Sequence, residues 1–212
     1  MDSVSGVGVL DKAFTVLNAV VERPMTLAEV VSATKLPRAT AHRLLLALEV
    51  HGAIRRNSDG SFCVGLSTVG LANAASVQFP WIERAQAAAE ELRDRTGESV
   101  QVYVAEGDGR RCIASYESTH GLRWIVPVGA LLPLSRGSAG RVLAGQKTNA
   151  GGWIESSEER EKGVASVSAP VTDAVGNVVA AVSVSGPVER MGTAAVKKHG
   201  AVVAKVARSL SA

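Results

Sequence analysis

Aromatic side chains are scarce in this chain: three Phe, three Trp and two Tyr among 212 residues. Few flat faces are on offer for stacking bases or sugars. Long apolar runs are missing as well, since stretches such as Val178 to Val182 fall far short of the ~20 residues that cross a bilayer. The start, Met1-Asp2-Ser3-Val4-Ser5-Gly6, shows no basic segment followed by an apolar run, so neither a signal peptide nor a membrane partner is expected. Only two cysteines occur, Cys63 and Cys112, and neither belongs to a Cys-x-x-Cys pair. His42, His51, His120 and His199 are scattered without ligand spacing, so no metal site and no cofactor are expected. Reduced thiols in a cytoplasmic protein are the reading, with a Cys63–Cys112 disulfide as the alternative. Charge of one sign is lacking too: 23 Lys and Arg against 20 Asp and Glu leave +3. A nucleic-acid role therefore needs a local basic patch.

What the chain does have is small apolar side chains, because 63 of its 98 hydrophobic residues are Ala or Val. In residues 8 to 22 they recur at helical spacing (Val9, Leu10, Ala13, Phe14, Val16, Leu17, Val20, Val21), and Pro24 ends that helix. Thr26-Leu27-Ala28-Glu29 reads as a capping box, in which hydroxyl and carboxylate each satisfy an orphan amide. That second helix ends near Ser32 to Thr34, and Pro37 suits the first position of a third, running to about Val50. Ala41, Leu44, Leu45 and Leu48 form its buried face, and Gly52 stops it. Two strand-like runs then flank Asn57-Ser58-Asp59-Gly60, a turn. Three helices and a hairpin outline a winged helix-turn-helix over residues 1–75. Between Lys35 and Arg56 lie five basic residues and one acid, Glu49, so the positive surplus sits on the third helix and the wing.

A looser stretch from Val69 to Pro80 leads into a helix from Pro80 to about Thr96, with Trp81, Ala85, Ala88, Ala89 and Leu92 as its stripe. Strands are expected at Val100 to Val104, at Arg111 to Tyr116, and in a third run, Leu122-Arg123-Trp124-Ile125-Val126. Gly137-Ser138-Ala139-Gly140 opens a short helix. Val164 to Val171 and Val178 to Val184 are further strands around an Asp173-to-Asn177 turn, and a last helix spans about Thr193 to Leu210. Residues 76–212 thus form an antiparallel α+β domain. In strands, Ser183 and Ser185 share a face ~7 Å apart, and Ser166 and Ser168 alternate likewise. Such rows either line a polar pocket or make the watery face of a half-exposed sheet. No Gly-x-Ser-x-Gly elbow, phosphate loop or acid–histidine pair is present, so an enzyme is not expected.

Several stretches together resemble the IclR family of bacterial transcriptional regulators. They are Thr26 to Val30, Leu36-Pro37-Arg38-Ala39-Thr40-Ala41-His42-Arg43-Leu44-Leu45, Gly121-Leu122-Arg123 through Val128-Gly129, and Gly163 to Val171 through Val182 to Pro187. The resemblance implies a winged helix-turn-helix, a linker helix and a GAF-like effector domain, in homodimers or homotetramers. It implies binding to double-stranded DNA, and hence a nucleoid-associated protein. Recognition-helix side chains enter the major groove, so Arg38, Thr40 and Arg43 are expected at bases or phosphates, with Ala39 against a thymine methyl. His42 is either a base reader or a solvent-facing or phosphate-bonding residue. Arg55 and Arg56 on the wing are expected at phosphates. A symmetric dimer would read an inverted repeat with half-sites ~34 Å apart or a multiple of it.

In the second domain the resemblance implies that Ser156, Ser166, Ser183 and Ser185 meet a small carboxylate or amino-acid effector, together with backbone N–H groups at Ser138 and Ala139. Ser156 stands where relatives carry an acid and Ser166 where a cysteine occurs, so a larger or more neutral effector is expected. The opening Ser5 to Ala13 and the Glu159-Arg160-Glu161 segment resemble actinobacterial regulators of leucine and related amino-acid biosynthesis. A repressor of such genes is the reading. The alternative is a ligand-independent, architectural DNA-binding dimer. Against the family pattern the chain is short by a few tens of residues between Gly145 and Gly152.

Overall fold

A computed structural model of the chain describes residues 5–211, and the expectation drawn from Met1 to Val4 lies outside the described residues. The chain divides into two units, Met1–Gln78 and Phe79–Ala212. It is an α+β protein: a helix-turn-helix domain followed by an antiparallel-sheet domain.

The first unit holds α1 (Gly8–Glu22), α2 (Leu27–Thr34), α3 (Arg38–Val50), the strands β1 (Ile54–Arg56) and β2 (Phe62–Val64), and α4 (Ser67–Gln78). The capping box forms as expected: the Glu29 carboxylate accepts from the Thr26 N–H at 2.8 Å, and the Thr26 hydroxyl accepts from the Glu29 N–H. Lys35 ends α2 in the left-handed region, φ 58°, and its N–H donates to the Val31 carbonyl. Pro37 caps α3 from outside, with ψ 138°, so the first helical residue is Arg38. One core of Val16, Val20, Val30, Leu36, Ala41, Leu45, Ile54 and Phe62 joins the three helices to the ribbon. Leu44 and Leu48 pack at its margin.

The second unit is built on a six-stranded antiparallel sheet in the order β5-β4-β3-β8-β7-β6. Its strands are β3 (Ser99–Glu106), β4 (Gly109–Tyr116), β5 (Leu131–Pro133), β6 (Ile154–Ser157), β7 (Val164–Thr172) and β8 (Val178–Pro187). One face carries Val100, Val102, Val167, Val182 and Val184, buried against Ala85, Ala89 and Leu92 of α5 (Trp81–Thr96) and Val203 and Ala207 of α7 (Thr193–Leu210). The abundance of Ala and Val is explained here, since small side chains let two helices lie close on a sheet. On the opposite face Tyr103, Cys112 and Ala181 pack with Ala139 and Val142 of α6 (Ser138–Leu143) and with Val126.

Two expectations are corrected. Residues 69–80 are not loose: α4 spans Ser67–Gln78, and because none of its side chains is buried, no apolar stripe announced it. Leu122 to Val126 is not a strand. The Leu122 carbonyl is held by Arg190 at 2.9 Å, Trp124 lies under the Arg160 guanidinium at 4.4 Å, and the sheet edge beside β4 is taken by β5. The helix after Pro80 forms as expected, and Ala85, Ala89 and Leu92 of its stripe pack into the sheet's core. Both cysteines are free and lie in different units. Among the described residues no helix is long and apolar enough to cross a membrane, and no group of His, Cys, Asp and Glu is arranged to hold a metal.

Candidate nucleic-acid interface and ligand cavity

On α3, Ala41 and Leu45 are buried while Arg38, Ala39, His42 and Arg43 are exposed and Thr40 is half-buried. At 100° per residue, Ala39 and Arg43 stand opposite the buried line, with Arg38 and His42 together on one flank. Thr40 and Arg43 share an open cleft with Val9 and Lys12 of α1. On the ribbon, Arg55 pairs with Cys63 and Arg56 with Phe62, and both arginines are exposed. They differ in freedom: the Arg56 guanidinium lies 4.6 Å over the Phe62 ring. Among the described residues none of Arg38, Arg43, Arg55 and Arg56 is in an ion pair, so their charge is free to meet phosphate. That contrasts with Arg23, which holds Glu29 at 2.8 Å.

In the second unit, sheet register gathers residues that are distant in sequence. Ser156 faces Ser166, Ser166 faces Ser185, and Ser168 faces Ser183. All six nominated residues, Ser138, Ala139, Ser156, Ser166, Ser183 and Ser185, line one cavity of about 30 Å³, room for about two waters. Ser138 Oγ lies 2.7 Å from the hydroxyls of both Ser166 and Ser168, and Ser168 donates to Ser183 at 2.9 Å. Ser185 donates to Gln101 Oε1 at 2.7 Å. At the start of α6, the Glu159 carboxylate accepts from the Gly137 N–H at 3.1 Å and pairs with Arg141 at 2.7 Å, so an acid of the chain itself already sits beside that short helix.

The cavity also has walls that sequence reasoning missed: Tyr103, Arg110, Trp124, Arg160 and Glu161. Arg110 is buried, donates to the carbonyls of Pro133 and Arg136, and lies 5.2 Å over the Tyr103 ring. Burial lowers its pKa from the usual guanidinium range and raises that of the Tyr103 phenol, while burial pushes the Cys112 thiol up to about 12. In the sequence Arg110 and Arg111 are equivalent neighbours. The strand's alternation turns one inward, while its neighbour ion-pairs with Glu106.

The chain matches the model of the IclR helix-turn-helix domain over residues 9–58 and that of the bacterial transcriptional regulator IclR C-terminal domain over residues 145–212. The chain belongs to the IclR family. This IclR-family regulator is 24% identical over 242 aligned positions to the HTH-type transcriptional regulator BhcR of Paracoccus denitrificans, covering 97% of this chain and 87% of the relative. Because the chain has 212 residues, at least 30 of those positions are residues that BhcR has and this chain lacks. The Transcriptional repressor IclR of Escherichia coli is 23% identical, covering 88% of this chain and 82% of the repressor. In fold it is similar to the Thermotoga maritima IclR crystal structure (TM-score 0.72, 20% identity, 97% of this chain and 99% of that one). It is also similar to an IclR homolog from Microbacterium hydrocarbonoxydans complexed with 4-hydroxybenzoate (TM-score 0.77, 18% identity, 96% and 97%). It is a DNA-binding transcriptional regulator rather than an enzyme.

Proposed function

We propose that this IclR-family chain is a repressor that binds an inverted-repeat operator as a homodimer or homotetramer and responds to a small carboxylate or amino acid held in the second unit. The observation that carries the effector half is the convergence of Ser138, Ala139, Ser156, Ser166, Ser183 and Ser185 on one cavity. The relative crystallised with 4-hydroxybenzoate supports the same ligand class. The DNA half rests on Arg38, Ala39, Thr40, His42 and Arg43 on α3 as groove-facing residues, with Arg55 and Arg56 at phosphates. Assembly is supported by α4, a twelve-residue helix with exposed Val69, Leu71 and Val77 and no buried side chain. Such a helix is marginal in water unless something packs on it. Genes of leucine-type amino-acid metabolism are the proposed targets, on the strength of the Ser5-to-Ala13 and Glu159-Arg160-Glu161 segments.

A second reading has its own support. The serine hydroxyls already bond to one another, as they would in a protein whose second unit only assembles it. Mapping bound sites in cells and then measuring gel shifts on such a site, with and without candidate carboxylates and amino acids, separates the two. A ligand-dependent change in affinity supports the effector-responsive repressor, and affinity indifferent to every candidate supports the architectural dimer.

A further inference from the structure

We infer that the groove between α7 and the connection from α6 to β6 is a second binding site, and that it takes a phosphate monoester of a small organic molecule through Lys147 and Lys197. Its walls include Arg141 of α6, Lys147, Thr148 and Asn149 of the connection, Glu155 of β6 and Lys197 of α7. No residue of this groove lines the serine cavity, so the two sites stand or fall separately.

Residues 144–153 are all that joins α6 to β6, at the place where the chain is short against the family pattern, and they are held in one shape. Asn149 Oδ1 accepts from the N–H groups of Gly151 and Trp153 at 2.9 and 3.3 Å, and the Asn149 N–H donates to the Trp153 carbonyl at 3.0 Å. The Trp153 indole is seated against α7. A Cβ on Gly200 would lie 2.5 Å from that ring and one on Gly151 only 1.8 Å from it, so glycine at both positions lets the ring lie there. The connection is thereby fixed on α7, and Lys147, Thr148 and Asn149 come to the same groove as Lys197, fifty residues along the chain. A site whose walls are held in place beforehand loses less freedom when a ligand enters.

The donors on these walls are unanswered. Among the described residues neither Lys147 nor Lys197 is in an ion pair, and neither ammonium, nor the Thr148 hydroxyl, nor the Asn149 side-chain amide N–H has a hydrogen-bond partner. Arg141 differs, being held by Glu159 and Gln146. Helix α7 brings no acid of its own, and the one acid on the wall, Glu155, is exposed and in no ion pair. Like charges gathered on one concave wall repel each other and focus a field that attracts an anion. A phosphate monoester carries a charge of about −1.5 to −2 near pH 7 and three acceptor oxygens, which two ammoniums, a hydroxyl and an amide can meet. A carboxylate brings one charge and two oxygens in one plane. The groove encloses about 450 Å³, more than a bare phosphate fills, which leaves room for an organic tail.

The test is titration calorimetry on the full chain at fixed ionic strength, with inorganic phosphate, propyl phosphate and pentanoate as probes. Propyl phosphate is expected to bind about tenfold more tightly than either of the others. Lys147→Ala and Lys197→Ala should each weaken it about fivefold, and Glu155→Gln, which removes a like charge, should tighten it about threefold. All three side chains are exposed, so the variants should fold, which circular dichroism checks. Propyl phosphate binding that is unchanged in both lysine variants, or is lost instead in Arg38→Ala and Arg43→Ala, overturns the site. So does the absence of binding by either phosphate up to about 10 mM. Pentanoate binding as tightly as propyl phosphate overturns the choice of phosphate, and inorganic phosphate binding as tightly overturns the organic tail.

Discussion

Ser138, the first residue of α6, and Ser168, in the middle of β7, share a hydrogen bond of 2.7 Å across thirty residues of chain. Ser168 also donates to Ser183 on β8, so a single hydroxyl fastens the short helix to two strands. It is fully buried, and losing it leaves Ser183 and Ser138 each short of a partner. Ser168→Ala is therefore expected to lower stability by about 1–3 kcal/mol, read from urea unfolding. An unchanged midpoint would mean that the hydroxyl chain is satisfied some other way.

Glu98 and Arg190 make a second long-range tie, at 2.5 and 2.8 Å, and Arg190 reaches on to the Leu122 carbonyl. The Glu98 side chain is almost wholly buried while that of Arg190 is partly exposed. Arg190→Ala strands a buried carboxylate, for which about 2–4 kcal/mol is expected after allowing for the exposed partner. The same change frees the segment around Leu122, so its amides should exchange with deuterium faster than those of β7.

The α3 arginines and the ribbon arginine Arg55 should fail differently on DNA. Arg43→Ala and Arg38→Ala are expected to abolish operator binding while the second unit remains folded. Arg55→Ala is expected to weaken all sequences alike and to reduce the slope of log affinity against log salt by about 1. Gel shifts across a salt series report both, and wild-type affinity in the Arg38 and Arg43 variants would refute the α3 assignment.

Glu29 supplies a pH dependence. The Thr26 N–H, the Arg23 guanidinium and the Thr26 hydroxyl together lower its carboxyl pKa from 4.5 to about 2. Since the folded value lies below the unfolded one, the stabilisation is fully present above pH 4.5 and is lost as pH falls toward 2. Thr26→Ala should cost about 1 kcal/mol at neutral pH and raise the Glu29 pKa only in part, since the backbone N–H and Arg23 remain, which an NMR titration of Glu29 would show.

The two thiols should label unequally. Cys112 is buried and held up near 12, whereas Cys63 is half-buried in the ribbon. Alkylation of the native protein at pH 8, followed by mass spectrometry, is expected to modify Cys63 and spare Cys112 until the second unit unfolds.

Local chemistry determined much of this protein. The Thr26–Glu29 cap, the stop at Gly52, the Asn57-to-Gly60 turn, the alternating serines of β7 and β8 and the extent of α7 all follow from neighbours a few residues apart, which sequence displays directly. The six-residue convergence on one cavity was legible only with the family resemblance. Where an element's state depends on partners far along the chain, sequence was silent or misleading. Helix α4 buries nothing and so carries no apolar stripe, and Leu122 to Val126 has a strand's composition but joins no sheet, being held instead by Arg190 and Arg160 from far along the chain. Arg110 is the sharpest case. Nothing in Gly109-Arg110-Arg111 tells which arginine is turned inward, because that is decided by strand register and by a glycine thirty residues away at Gly140. The near-balance of acids and bases, +3 overall, is a property of the whole chain that sequence displays, whereas tertiary structure alone decided that Arg110 would be buried.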